Sequence, residues 1–372
     1  GDIWEVTFEK YFYNGFLSIQ SIDQLEDFCF HEVEGSLELR GLSFNNTSVN
    51  LLENFDNLEK ISGSIIIEDN DGVVNFEAFD NLLESSSIFI RDNKDLAKIT
   101  GFRNLERIFP TISIANNPSL IEIDAFNRLG INGLNEVSVS VTNNEQLINF
   151  NGFNSISSAV VAFFMSSSPN IETLQIFNEL DEILRITLIS TNTSDLNGSF
   201  AKLEYVSDYI QIIDPIEETI DLSLSYGVNN FLFSTNNTLT SNLRQLSIQC
   251  DQINDLTIFR QPEMTNLELV IERLENLTIN SNMNLIEVRG FQIQNISNSL
   301  EVDNNQNLQS LLIGDGQNLI IGQSIEITNN PLFSKFCNVS VGVLNNNTVE
   351  FNTSGNAFNP SRENILNGYC EN

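Results

Sequence analysis

Gly63-Ser-Ile-Ile-Ile-Glu-Asp-Asn70 is the stretch on which the fold turns. It alternates apolar-x-apolar over Ile65–Ile67, as a half-buried strand must, and an Asn follows three residues after the last apolar position. The same phrase returns at Ile88–Ile90 with Asn93, Ile112–Ile114 with Asn117 and Val139–Val141 with Asn144. It appears again at Leu277–Ile279 with Asn282, Leu300–Val302 with Asn305 and Ile325–Ile327 with Asn330. The anchors Ile67, Ile90, Ile114, Val141 and Phe164 lie 23 to 27 residues apart, and the step carries on through Leu188, Ile212, Phe233, Ile258, Ile279, Val302 and Ile327.

A second series keeps time with the first: Phe55, Phe79, Phe102, Phe126, Phe153, Phe177 and Phe200. A β-rich period in the twenties signals a solenoid, in which no coil buries its own apolar face and stacking makes the core. Asn suits the fixed turn because its short amide bonds backbone groups and tolerates left-handed dihedrals. Asn70, Asn93, Asn117, Asn144, Asn282, Asn305 and Asn330 are therefore expected to stack at one corner as a structural ladder. The expected class is all-β: a right-handed parallel β-helix or leucine-rich-repeat-like solenoid of about twelve coils. Between Tyr205 and Glu275 the apolar-x-apolar motifs crowd to ten to twelve residues, which predicts two strands per coil on different faces. The expected organisation is an N-terminal cap over 1–36, continuous coils over 37–335 and a C-terminal cap over 336–372.

These strings resemble the receptor L domains, the β-solenoid modules of growth-factor-receptor ectodomains and of fungal and bacterial surface proteins. The carriers are Gly63 to Asn70, Gly101-Phe-Arg-Asn-Leu-Glu-Arg-Ile108 and Ile112-Ser-Ile-Ala-Asn-Asn-Pro-Ser-Leu120, with Ile22 to Cys29 leading into Gly35-Ser-Leu-Glu-Leu39 as a first cap. The resemblance covers most of the chain, departs from the family between about 205 and 275, and implies a recognition scaffold without a shared active site. Cys337 and Cys370 resemble the terminal cap of the bacterial members, and a disulfide between them would pin the end of the stack. Cys29 and Cys250 stand roughly nine coils apart at about 4.8 Å each, far beyond disulfide reach. Both are expected free and buried, unless one pairs between molecules.

Composition narrows the function. A net charge of −33 repels phosphate backbones and anionic bilayers, so nucleic acid is not an expected partner. The longest apolar run, Ala159 to Met165, is too short for a membrane span. The lack of a leader-like start and the cysteines predict a mature secreted or cell-surface form. Ten Asn-x-Ser/Thr sequons, from Asn45 to Asn352, decide nothing in a chain so rich in Asn, Ser and Thr. His31 is the only histidine, which rules out a Ser-His-Asp triad without it and any multi-His metal site. It is expected in the cap.

Asp69-Asn-Asp-Gly72 lacks ligands at the first and last positions of a calcium loop, and Gly314-Asp-Gly316 lacks the basic residue of a phosphate loop. No cofactor is expected; a structural calcium ion in a carboxylate turn is the one exception left open. The run Trp4, Phe8, Tyr11, Phe12, Tyr13 and Phe16 is either an apolar seal on the first coil or a ligand platform. The expected function is a non-catalytic recognition or adhesion module that holds a protein or glycan on a solenoid face. Alternatives are a subunit that self-assembles into a layer or filament, or joins a membrane complex, and a polysaccharide-active β-helix enzyme.

Overall fold

The computed structural model describes residues 11–45, 48–131, 136–158, 160–192, 199–236, 241–314, 318–346 and 348–371. The chain is all-β, with 47% strand and 8% helix, and its parallel sheets wind into a β-solenoid of about 13 turns, against the twelve read from the periods. The coils form two compact units, one of Gly1–Leu180 with Ser199–Lys202 and the other of Asp181–Gly198 with Leu203–Asn372. No helix among the described residues is long and apolar enough to cross a membrane.

In the first unit the alternating residues place apolar side chains inward at matching positions of each coil, in register with the next. Ile19, Leu39, Ile67, Ile90, Ile114, Val141 and Met165 are successive partners, all buried. The anchor Phe164 is a correction to the sequence reading. Val139 stands opposite Phe163 and Val141 opposite Met165, so those two point inward and Phe164 lies half-buried on the outer face. Val160 to Met165 is apolar at every position, so alternation cannot tell the faces apart, and a bulge between Val137 and Ser138 shifts the register by one. The unit's other two sheets, of five strands each, include Glu122–Ala125 and Asn149–Gly152 in one and Glu32–Glu34 and Lys60–Ile61 in the other.

The phenylalanine series is a stack of rings in this unit. From Phe55 through Phe200, neighbouring centroids lie 4.9 to 5.6 Å apart with nearly parallel planes. Six of the seven, Phe79 to Phe200, hold φ between +56° and +64°. That left-handed backbone is costly for a bulky residue, and burial of each ring between two others offsets the cost. Gly72 sits at a comparable turn with φ +76°, where a Cβ would meet the Phe44 carbonyl oxygen at 2.2 Å, so only glycine fits.

In the second unit Leu188, Ile212, Phe233, Ile258, Ile279, Val302 and Ile327 are successive partners and buried. The crowded motifs resolve into two halves of one continuous parallel sheet. Strand Gln245–Phe259 pairs through its first half with Thr219–Leu224 and through its second with Gly227–Ser234. Asn266–Asn280 repeats the bend one coil later. The unit closes with helix Cys337–Asn345, strand Glu350–Ser354 and helix Arg362–Leu366, whose Ser361 and Asn364 form a capping box.

Candidate binding face

Seven of the residues singled out in the sequence turn out to hold corners. Asn70, Asn93, Asn117 and Asn144 are buried, and each Oδ1 of the last three accepts from the backbone N–H and the Nδ2 of the Asn one coil earlier, at 3.0 to 3.3 Å. Asn282, Asn305 and Asn330 do the same in the second unit. Sequence reading missed two members there, Gln261 before the row and Asn356 after it. Asn356 sits three residues after Thr353, which pairs with Ile327 but is not apolar, so the phrase was unrecognisable. With their amides committed to backbone, these side chains are scaffold and not ligands.

Cys337 and Cys370 form a disulfide with Cα atoms 4.8 Å apart. Cys250 is buried, its Sγ donating to the Tyr226 carbonyl at 3.0 Å, and burial pushes the thiol up to about 11. Cys29 is free but exposed, against the expectation of burial. Phe28 takes the inward position, so its neighbour turns out to solvent. His31 lies in the first coils, where Nδ1 accepts from the Tyr11 backbone N–H at 3.2 Å. Tyr11, Phe12 and Phe16 are exposed, while Tyr13 packs on Phe30 with centroids 5.3 Å apart. Trp4, Phe8, Ala159, Asp315, Gly316 and the sequons at Asn46 and Asn197 lie outside the described residues.

The carboxylate turn at Asp69 to Gly72 is consumed internally, since Asn70 belongs to the ladder and Asp71 pairs with Lys94 at 2.7 Å. Among the described residues no three His, Cys, Asp or Glu side chains converge as a metal site. The amide of the sequon Asn346 donates to the carbonyls of Ile321 and Gly322 and is likewise structural.

What the structure does assemble is an outer face on the second unit. Three rows of outward side chains cross eight in-register strands, from Glu182–Thr191 to Glu350–Ser354. The first rungs carry five apolar or aromatic residues among polar ones: Ile189 beside Ile213 in one row, with Phe259 beyond Ser234, Leu232 between Gln211 and Thr257 in the next, and Tyr209 between Arg185 and Asn230 in the third. All five are half-buried. Two guanidiniums frame them, Arg185 over the Tyr209 ring at 5.6 Å and Arg260 over the Phe259 ring at 4.6 Å. Arg185 is held there by Asp208 at 2.7 Å.

Further along, the same rows turn to Asn276, Thr278 and Asn280, and then to acid at Glu301, Asp303, Glu326 and Glu350. Burial, and then the Glu326 and Asp303 charges, push the Glu301 carboxyl above the usual carboxylate range. The outward positions are mostly Ser, Thr, Asn, Asp and Glu in the sequence, against which an exposed aromatic or aliphatic cluster stands out as the expected hot spot. The signal that could have found the patch is local: Phe259 and Ile213 each directly follow an inward anchor, where later coils carry Asn280, Asp303 and Thr328. No protein-family model matches this chain, and no curated protein matches it.

Proposed function

We propose that this chain is a non-catalytic recognition module of the receptor L-domain type, working outside the cell or on its surface, and that it holds a protein partner on the outer strand face of the second unit. The observation that carries the reading is the row pattern: Tyr209, Ile213, Leu232 and Phe259 stand half-exposed on consecutive rungs, next to an acidic continuation of the same flat surface. Aromatic and aliphatic side chains on rigid strands bind at little entropic cost, and a polar surround is the usual rim of such a hot spot. The interior supports the same reading, because the buried Ile, Leu, Val and Phe columns fill it and leave the ligand only the outside. The acidic half favours a basic partner and a salt-sensitive association rate.

A photoreactive benzoylphenylalanine at Thr257, in the middle of the face, tests the reading on the cells that carry the protein. One discrete protein adduct is expected from Thr257, and none from the same group at Gln249 on the first half of the same strand. Equal adducts from both positions would overturn the assignment of the face. A homodimer as the sole adduct would replace partner recognition by self-assembly.

A further inference from the structure

The second unit carries another outward surface, on the half of the sheet formed by Thr219–Leu224, the first halves of Gln245–Phe259 and Asn266–Asn280, and Glu287–Gly290. Two of its outward rows matter here; a third, Ser223, Gln249 and Val270, runs beside them, and Ser310–Ile313 carries both rows one strand further to Ser310 and Leu312. Thr219, Gln245, Asn266 and Glu287 are register partners in one, and Asp221, Ser247, Glu268 and Arg289 in the other. Together they line an open groove of about 410 Å³. The Arg289 guanidinium is fixed in it by Glu287 at 2.6 Å.

We propose that this groove binds a neutral oligosaccharide chain lying across the strands. Three features of the groove select that ligand. The lining carries three carboxylates against one guanidinium, so an anionic polymer such as a polyuronate is repelled. Its apolar members, Ile220, Leu246 and Leu267, are at most 3% exposed beneath the polar rows, so there is no anchor pocket of the kind a protein hot spot fills. What the groove does offer is hydrogen bonding of every kind: carboxylates that accept, a guanidinium that donates, and hydroxyls and amides that do both. Sugar hydroxyls also donate and accept, and can satisfy all of these at once.

The repeat strengthens the case. Each rung presents the same pair of positions about 4.8 Å beyond the last, so four rungs offer roughly 14 Å of periodic surface to a linear polymer of short repeat. The surface is separate from the partner face, since it lies on the other half of the bent strands Gln245–Phe259 and Asn266–Asn280. Binding there is independent of a protein on Leu232 and Phe259.

Calorimetric titration of the whole chain with cellohexaose, mannohexaose, xylohexaose and maltohexaose tests the proposal, with polygalacturonate as the anionic comparison. At least one neutral hexaose is expected to bind saturably, with little dependence on salt, and polygalacturonate not at all. Ser247→Trp, which fills the groove, should weaken that binding at least tenfold, and the gentler Glu268→Gln should weaken it severalfold. Ser113→Ala, on the outer face of the first unit, should leave it unchanged. Circular dichroism and melting temperature establish that each variant folds. No binding of any neutral hexaose at millimolar concentration, equal affinity in folded Ser247→Trp or Glu268→Gln, or preference for polygalacturonate would overturn the proposal.

Discussion

Asn117 shows what a single residue does in this architecture. Its Nδ2 donates to the carbonyls of Ile90 and Ala115, and its Oδ1 accepts from the backbone and side chain of Asn93. Asn117→Ala strands those partners in a buried corner, and should cost about 3 kcal/mol in urea unfolding. Ser113→Ala, on the outer face of the same coil, should stay within about 0.5 kcal/mol. The period exposed this role in the sequence because one amide per coil must recur at one place. It did not expose the left-handed Phe79 to Phe200 backbones, since nothing in a string of letters distinguishes a ring on a strand from a ring on a turn. The free cysteines were separable only in three dimensions. At pH 8 iodoacetamide should modify exposed Cys29 in the native protein and spare Cys250, read by peptide mass spectrometry. The folded Cys250 thiol, at about 11, lies above the unfolded value of about 8.5. Its contribution to stability is therefore complete below pH 8.5 and lost as pH rises towards 11, and Cys250→Ala should flatten that part of the alkaline decline.

At the scale of elements, strand identity was legible wherever apolar and polar residues alternate, and illegible where they do not. Ile325–Ile327 reads itself, whereas Val160 to Met165 offers six apolar residues and leaves the choice of face to the neighbouring coil. The crowded region from Tyr205 to Glu275 was readable as two strands per coil, yet only the pairing shows that they are halves of single bent strands. The terminal elements depend on chain connectivity more than on register. Helix Cys337–Asn345 and helix Arg362–Leu366 sit within the loop closed by the disulfide, whose cysteines are 33 residues apart. A loop of that size stabilises by about 3.7 kcal/mol through the entropy removed from the unfolded chain. Replacing both cysteines by serine should therefore speed hydrogen exchange across 337–371, while strand Gln245–Phe259 keeps its protection. Uniform loss of protection throughout the second unit would show instead that the cap and the coils unfold as one.

Across the whole molecule, charge is the dominant long-range force, because a net −33 is distributed over a repeat that sets like side chains one rung apart. The first unit alternates signs along its rungs, as in Arg40–Glu68–Arg91, where Glu68 lies 3.1 and 2.7 Å from the two guanidiniums. The acidic end of the partner face does not: Glu301 stands opposite Glu326, next to Asp303 in sequence row order, and Asp303 is tied by Thr328 and Asn329 to hydroxyl and amide alone. That arrangement costs stability, and its sign can be followed with pH. The folded Glu301 carboxyl titrates above its unfolded value, so its contribution is favourable while both states are protonated and is lost as pH rises through the folded value. At pH 7 the native state therefore bears a penalty that Glu301→Gln removes. The variant should melt at a higher temperature than the parent at pH 7, with the difference shrinking as pH falls towards 4. Sodium chloride should narrow the gap at pH 7 by screening Glu326 and Asp303, leaving the part due to burial. A parent that melts as high as Glu301→Gln at pH 7 in low salt would show that the carboxylate is already compensated, and the acidic half of the face would lose its electrostatic claim on a basic partner.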